Sequence, residues 1–433
     1  MQPHILILGA GIMGAALAHR LACLGAAVTC LDAGLPASGA SGRSFGWVNA
    51  SFFLSEPHFH LRHAAMRAHQ ALAWDLGLDP TPQSCIWYED SGAGFNRQHA
   101  ALSRLGYPLR LLDRAGIAAL EPHLADPPDR ALLFPTEHAV DLVSLTEALL
   151  AAATARGATV ITGTRAEALV TAQGRVIGIR SGQDRLFADH VILATGTGTP
   201  ALLESLGLTL PMLHRPGAVF RSQPLPRFLS HILATPEQEV RQDAAGRLIA
   251  PAAAAHQSDS AEATADPATL MAATLARLRG LLPGADIRPD RITLALRPVP
   301  GDGLPAIGPV LPGLSMAVMH SGATLPPGAV LSLDKRRAVI RAPWFVWLWY
   351  ARSAAQAAAP PAARANQPFR IDRPANSAVS PSISSMRISW LYFASRSDRD
   401  SDPVLICPQF VATARSAMVK SSVSPDRCDI TLV

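Results

Sequence analysis

An apolar run, His4-Ile5-Leu6-Ile7-Leu8, leads without a break into Gly9-Ala10-Gly11-Ile12-Met13-Gly14, and an acid, Asp32, follows 18 residues after the last of those glycines. Each residue type in this pattern has its own task. Gly9 permits a tight strand-to-helix turn, Gly11 lets the backbone approach a diphosphate, and Gly14 lets helix and strand pack closely. A helix predicted over Ile12 to Cys23 turns its first amides and the positive end of its dipole toward an anion. Ala27 to Leu31 reads as the second strand. Asp32 then falls at its tip, where a carboxylate accepts hydrogen bonds from ribose hydroxyls and disfavours a 2′-phosphate. Glycines that only made a turn would not need strand, helix, strand and acid at these offsets, so the segment reads as a dinucleotide-binding βαβ unit.

With 433 residues, 49% of them hydrophobic and 16% charged, the chain is globular and long enough for two or three domains. No basic region or cleavage site precedes the first strand, so a cytoplasmic location is expected. Five cysteines (Cys23, Cys30, Cys85, Cys407 and Cys428) form no CxxC pair, which points to reduced thiols, with Cys23 and Cys30 expected in the core. The net charge of +5 is unevenly spread. Residues 1–328 hold 24 basic and 26 acidic side chains and no lysine, whereas residues 329–433 hold 14 and 7. The basic balance therefore belongs to the tail, and the main body gives no support for a nucleic-acid partner. All 31 glycines lie at or before Gly328. At the usual frequency of about 7%, the last 105 residues should hold roughly seven.

Along the chain, Ser38-Gly39-Ala40-Ser41-Gly42-Arg43-Ser44-Phe45-Gly46-Trp47 reads as a loop lying against a ligand. His58 to Leu76 has helical spacing. Its histidines (His58, His60, His63, His69) lack the acid or cysteine that would complete a metal site, and are expected on a solvated face. Residues 80–138 are Pro-rich and suggest short strands and turns of an inserted second domain. A helix over Val140 to Ala155, a strand over Thr159 to Thr162, and a hairpin of Glu167 to Thr171 with Arg175 to Arg180 follow. Val191 to Ala194 is a buried strand ending in Thr195-Gly196-Thr197-Gly198. Strands over Ala218 to Ser222 and Arg247 to Ala250, a mobile loop over Pro251 to Ala265 and a helix over Pro267 to Leu281 complete this stretch. The second chemical motif is Arg297-Pro298-Val299-Pro300-Gly301-Asp302-Gly303-Leu304-Pro305-Ala306-Ile307-Gly308. Pro312-Gly313-Leu314, an apolar stretch and His320-Ser321-Gly322-Ala323-Thr324-Leu325 come after it.

Taken together, residues 1 to about 327 resemble the FAD-dependent amino-acid oxidase family, which includes D-amino acid oxidases and dehydrogenases, glycine oxidase and sarcosine oxidase. The resemblance rests on ILGAGIMG with Asp32, the SGASGRSFGW loop, the hairpin followed by VILATG, and the two late motifs. A plain NAD-linked dehydrogenase, the alternative reading, has no reason to return to its nucleotide site some 300 residues on. The resemblance implies an α/β fold with an α+β second domain. A Rossmann-like FAD-binding domain of discontinuous segments (1–78, 139–214, 296–328) would carry a substrate domain on a mixed or antiparallel sheet (79–138, 215–295).

The resemblance also implies roles. Gly9, Gly11 and Gly14 would hold the diphosphate, Asp32 the adenosine ribose, and Ser41 with Gly42 the pyrophosphate and ribityl side. Ala166 would touch adenine, and Thr195 with Gly196 would close over the cofactor. Gly303 and the run from His320 through Ser321, Gly322, Ala323 and Thr324 would lie along the isoalloxazine. FAD would be noncovalent, since no cysteine lies between Cys85 and Cys407. Arg297 matches the position whose guanidinium forks onto a substrate carboxylate, a structural ion pair being its other reading. Trp47 and His320 are pocket walls or packing. The chemistry implied is oxidation of the C–N bond of a small amino acid, with oxygen or a respiratory acceptor taking the electrons.

The family's closing helix, entered after the HSG loop, is not recognisable here. Pro326-Pro327-Gly328 gives way to Ala329 to Arg337, an aromatic run from Trp344 to Tyr350 and a Pro/Ala/Ser-rich remainder. Motif, glycine and glutamate are lost together, which a shift of reading frame near residues 325–330 would produce. Residues 329–433 are accordingly expected to be an atypical, disordered tail, and a degenerate, noncatalytic remnant is the second alternative. A lineage-specific extension, or an interfacial anchor giving peripheral membrane contact, are competing readings of the aromatic run, which is too short to span a bilayer.

Overall fold

The structure is a computed structural model that describes residues 2–77, 83–252 and 264–325, together with the backbone of four short strands further on. The chain divides into two compact units, Met1–Arg373 and Pro374–Val433. In the first, β1 (His4–Leu8) lies between β2 (Ala27–Leu31) and the His190–Leu193 strand in a six-stranded sheet. Thr159–Ile161 extends the β2 side, and Leu314–Val318 then Ala306–Leu311 extend the other. Pairing is parallel except for that last pair. Ile5, Leu6, Ile7 and Leu8 are all buried, as parallel strands covered on both faces require. On one face, α1 (Ile12–Cys23) and the Leu142–Thr154 helix bury Leu17, Leu21, Leu145 and Leu149 in a common core. On the other, Leu6, Leu8 and Leu193 meet Leu202 and Leu203, and the antiparallel strands of residues 168–187 add Leu169 and Ile179.

The second sheet has eight strands, in the order Pro289–Leu296, Pro216–Ser222, Leu248–Pro251, Glu239–Gln242, Ile232–Ala234, Cys85–Trp87, Arg130–Phe134 and Arg110–Asp113. Only Ile232–Ala234 with Cys85–Trp87 is parallel. Its strands come from residues 85–134 and 216–296, interleaved in sequence with those of the first sheet. The chain passes from the first sheet to the second through α2 (Glu56–Asp75), which starts at Ser55, whose side chain accepts from the His58 amide, and has proline in its first turn.

Three sequence expectations need correction. Residues 80–138 contain two helices, Gly92–Arg104 and Arg114–Leu120, besides strands and turns. The first begins on Gly92 and Gly94, residues of low helix propensity, which hides its start in the sequence. His58 and His69 are buried rather than solvated. Cys23 is exposed, whereas Cys30 and Cys85 are buried. The loop expected after Pro251 falls on residues 253–263, outside the described residues. So does the expected disordered tail, apart from the pairings Leu333–Asp334 with Val339–Ile340 and Val419–Ser424 with Arg427–Leu432. No helix among the described residues is long and apolar enough to cross a membrane.

Candidate cofactor and substrate site

A cavity of about 1090 Å³ runs from the C-terminal ends of β1 and β2 across to the eight-stranded sheet. Its first end is made of backbone. Gly9 turns the chain at φ +101°, its amide held by Leu31 O at 2.7 Å; a Cβ there would stand 2.5 Å from Ala194 O. Gly11 caps α1 with no side chain of its own over the helix start, and a Cβ on it would come within 3.2 Å of Ser41 Oγ. That hydroxyl accepts from the Ile12 amide at 3.1 Å. A Cβ on Gly14 would meet Gly9 O at 1.7 Å, so Gly14 sits beneath the turn and lets α1 pack on β1. Asp32 accepts from the amides of Ala10 (2.6 Å) and Gly34 (2.7 Å), which aims its carboxylate over the turn and into the cavity.

Thr195 and Gly196, following the His190–Leu193 strand, form part of the wall, as do Gly303 and the segment from His320 to Thr324. The turn at Ser321 has φ +65°, a conformation that a residue with a Cβ adopts only under constraint. Ser41, Trp47, Arg297 and His320 reach the same cavity. Gly42 and Ala166 do not. A Cβ on Gly42 would strike Ala37 O at 2.5 Å, so this glycine serves the tight turn behind Ser41, and Ala166 packs against the leucine core under the first sheet.

At the far end the wall is made of side chains. Arg297 lies over Gly217, where any Cβ would be 3.4 Å from its Cδ and Cγ, and its amide is held by Arg215 O at 2.8 Å. Trp47 is buried, edge-on to Phe52 at 4.9 Å, and its indole N–H donates to Glu137 Oε2 at 2.8 Å. Glu137 is fully enclosed; its other oxygen accepts from Tyr107 OH at 2.8 Å and the Ser51 amide at 3.4 Å. Burial pushes its carboxyl up to about 7, against the pull of those donors. Arg241 donates to Phe45 O at 2.7 Å and so fixes the loop that presents Trp47.

The buried stripe of α2 supplies residues that motif reading does not single out. Arg62 donates to Asn49 O, Asn49 Oδ1 and Ser321 Oγ at 3.0, 2.5 and 2.6 Å. His69 Nε2–H donates to Ala323 O at 2.7 Å, and His58 Nδ1 accepts from the Leu54 amide at 3.2 Å. Burial drives both imidazoles down to about 3, so they are neutral. The signal for Arg62 is its place in the series Phe59, Arg62, Met66, His69, on the face that α2 turns to the core. No cluster of metal-ligating side chains occurs among the described residues.

The fit to FAD rests on two observations. Gly9, Gly11 and Asp32 line the cavity at the start of α1, where Gly11 puts no side chain of its own over the helix end, and the cavity, at about 1090 Å³, lies just above the range of about 300–1,000 Å³ usual for ligand sites. The sequence profile of the FAD dependent oxidoreductase family matches residues 4–331. A D-amino acid dehydrogenase of Rhizobium johnstonii is 30% identical over 277 residues, 61% of this chain and 65% of that protein. One from Sinorhizobium medicae is 28% identical over 273 residues, with the same shares. The chain thus spans just under two thirds of the length of these curated relatives. Glycine oxidase from Geobacillus kaustophilus superposes with a TM-score of 0.68 at 23% identity, covering 78% of this chain and 95% of that one. L-Amino acid deaminase from Proteus myxofaciens gives 0.69 at 17% identity, covering 77% and 89%. At these identities the structural likeness is one of fold.

Proposed function

The chain belongs to the FAD dependent oxidoreductase family, and on that premise we propose that it oxidises the Cα–N bond of a small amino acid with noncovalently held FAD. The observation that carries this reading is the single cavity in which Gly9, Gly11, Asp32 and Ser41 are continuous with Trp47, Arg297 and His320. When bound, FAD supplies a two-electron acceptor. The chain's own residues do the rest. Gly9 and Gly11 leave room for the diphosphate beside the first amides of α1, and Asp32 takes the ribose hydroxyls. Arg297 forks onto the substrate carboxylate and so fixes which bond of Cα faces the flavin, while Trp47 and His320 wall the pocket.

The net change on the substrate is oxidation to an imino acid, which water converts to a 2-oxo acid and ammonia, or methylamine from an N-methyl substrate. No Ser-His-Asp or Cys-His set is required for this, because the cofactor carries the difficult chemistry. D-amino acids come first among substrates, since relatives at 28–30% identity are D-amino acid dehydrogenases. Glycine and N-methyl amino acids follow. Oxygen or a respiratory component reoxidises the flavin.

The test is anaerobic addition of D-alanine, other D-amino acids, glycine, sarcosine and proline to the FAD-loaded chain. Loss of the visible flavin bands with one of them, and a stoichiometric 2-oxo acid, is the expected result. A flavin that dithionite bleaches but none of these amino acids does would overturn the substrate class and leave the cofactor assignment standing.

A further inference from the structure

Arg62 is a buried cation whose hydrogen bonds, among the described residues, all go to neutral acceptors: the Asn49 carbonyl, the Asn49 side-chain oxygen and the Ser321 hydroxyl. A buried charge is costly unless an opposite charge answers it. The acid that acts on it is Glu137, through space and without a hydrogen bond. Both Glu137 oxygens are taken by Trp47, Tyr107 and Ser51, and burial favours its neutral form. Arg62 itself is lowered only to about 10 by burial and stays charged at neutral pH. It also lines the cavity, and its Nη1 holds the hydroxyl of Ser321, the residue with φ +65° in the turn that continues to Gly322 and Ala323. The charge is therefore fixed by geometry at the cavity wall, behind the segment that the family resemblance places along the isoalloxazine, with Glu137 acting on it only through space.

We propose that Arg62 is the residue that tunes the bound flavin, its fixed positive charge behind the Ser321 turn favouring the negatively charged reduced form over the neutral oxidised one. The proposal rests on the FAD reading above. Two-electron reduction with uptake of one proton leaves one negative charge on the ring system, and a cation held in a low-dielectric wall lowers the energy of that product selectively. Arg62 is a positioning residue: it acts by its charge and through Ser321, without touching substrate.

The experiment uses the full chain loaded with FAD. Its two-electron potential is measured by slow enzymatic reduction against a reference dye, and the dissociation constant of the sulfite adduct, which the same positive charge favours, by absorbance. The unmodified protein should hold FAD at a potential above that of free FAD. Arg62→Gln should lower the potential and weaken sulfite binding by about tenfold to a hundredfold, each tenfold preference for the reduced form being about 30 mV for a two-electron couple. Arg62→Lys, which keeps the charge and loses the fork, should recover most of both. A potential of the unmodified protein at or below that of free FAD overturns the proposal. So does an FAD-retaining Arg62→Gln protein with unchanged potential and sulfite affinity, which would make Arg62 a purely structural tie. If Arg62→Gln fails to fold, the unmodified potential and Arg62→Lys decide. A chain that takes up no FAD at all refutes the cofactor assignment instead.

Discussion

At the end of the cavity proposed for the nucleotide, Gly9, Gly11 and the opening turn of α1 bring main chain to the wall beside the Asp32 carboxylate and the Ser41 hydroxyl, whereas at the end proposed for substrate the wall is the side chains of Trp47, Arg297 and His320, each delivered by a different segment. The two ends should therefore fail differently. A backbone cradle is tied to the fold itself, because the atoms a new Cβ would strike, Ala194 O and Gly9 O, belong to the central sheet and its turn. A side-chain wall can be cut back while the sheet behind it stands. The segment that follows His320, from Ser321 to Thr324, is held from behind by Arg62 and His69 of α2.

The largest effect is expected from Gly9→Val, which adds a clash at 2.5 Å and forces a β-branched residue to φ +101°. A loss above about 4 kcal/mol is expected, with no flavin-bearing protein recovered; thermal melting and flavin content check it. A folded, yellow Gly9→Val protein would break the distinction between the two ends.

Acid should come next, acting on the joint. His58 and His69 have folded-state values near 3, below the unfolded value of about 6.5, so stability is lost as pH falls from about 6.5. Glu137 works in the opposite sense. Its folded value of about 7 lies above the ordinary carboxyl value of 4.5, so its contribution is full below about 4.5 and disappears as pH rises through 7. With His190, which burial lowers to about 4, three imidazoles against one carboxyl leave a net loss of roughly 4–5 kcal/mol between pH 6.5 and 4.5. Urea midpoints across that range measure it, and His69→Gln should flatten the slope. Stability that is flat or rises on acidification would contradict the assignment.

Arg297→Ala should raise KM for the amino acid by about 30- to 1,000-fold, the cost of removing one partner of a charged pair, with flavin content unchanged. Steady-state kinetics beside an absorbance ratio separate the two readouts. Flavin lost together with substrate affinity would place Arg297 at the cofactor instead. The smallest effect is expected from Trp47→Phe. It removes the indole donor to Glu137 Oε2 and should cost about 1–3 kcal/mol in stability, read from the unfolding midpoint.

The same contrast explains what sequence reading could reach. The helix Ile12–Cys23 and the strand Ala27–Leu31 agree residue for residue with the expectation, because glycine spacing and a run of apolar residues specify them within 30 positions. Arg297 and His320 could be picked out by their place in late motifs, and the cavity receives both. Glu137 and Arg62 could not, since each has partners in distant segments, up to 90 and 259 residues away along the chain, and nothing local marks a glutamate that will be enclosed. His58 and His69 misled for a related reason. Polar rings in a helix read as a wet face until the carbonyl of Ala323 and the amide of Leu54 are seen to satisfy them. Ala166 and Gly42 carry expectations transferred by resemblance, and here they serve packing and a turn.

Residues 4–325 are proposed to assemble one cavity that takes FAD beside Gly9, Gly11 and the opening turn of α1. The most direct measurement is the visible spectrum of the purified full-length chain, before and after incubation with FAD and gel filtration, with the flavin released by acid and quantified. Oxidised-flavin bands at one FAD per chain, released on acid precipitation as a noncovalently held cofactor would be, are the expected result. A chain that stays colourless in excess FAD while melting as a folded protein would contradict it.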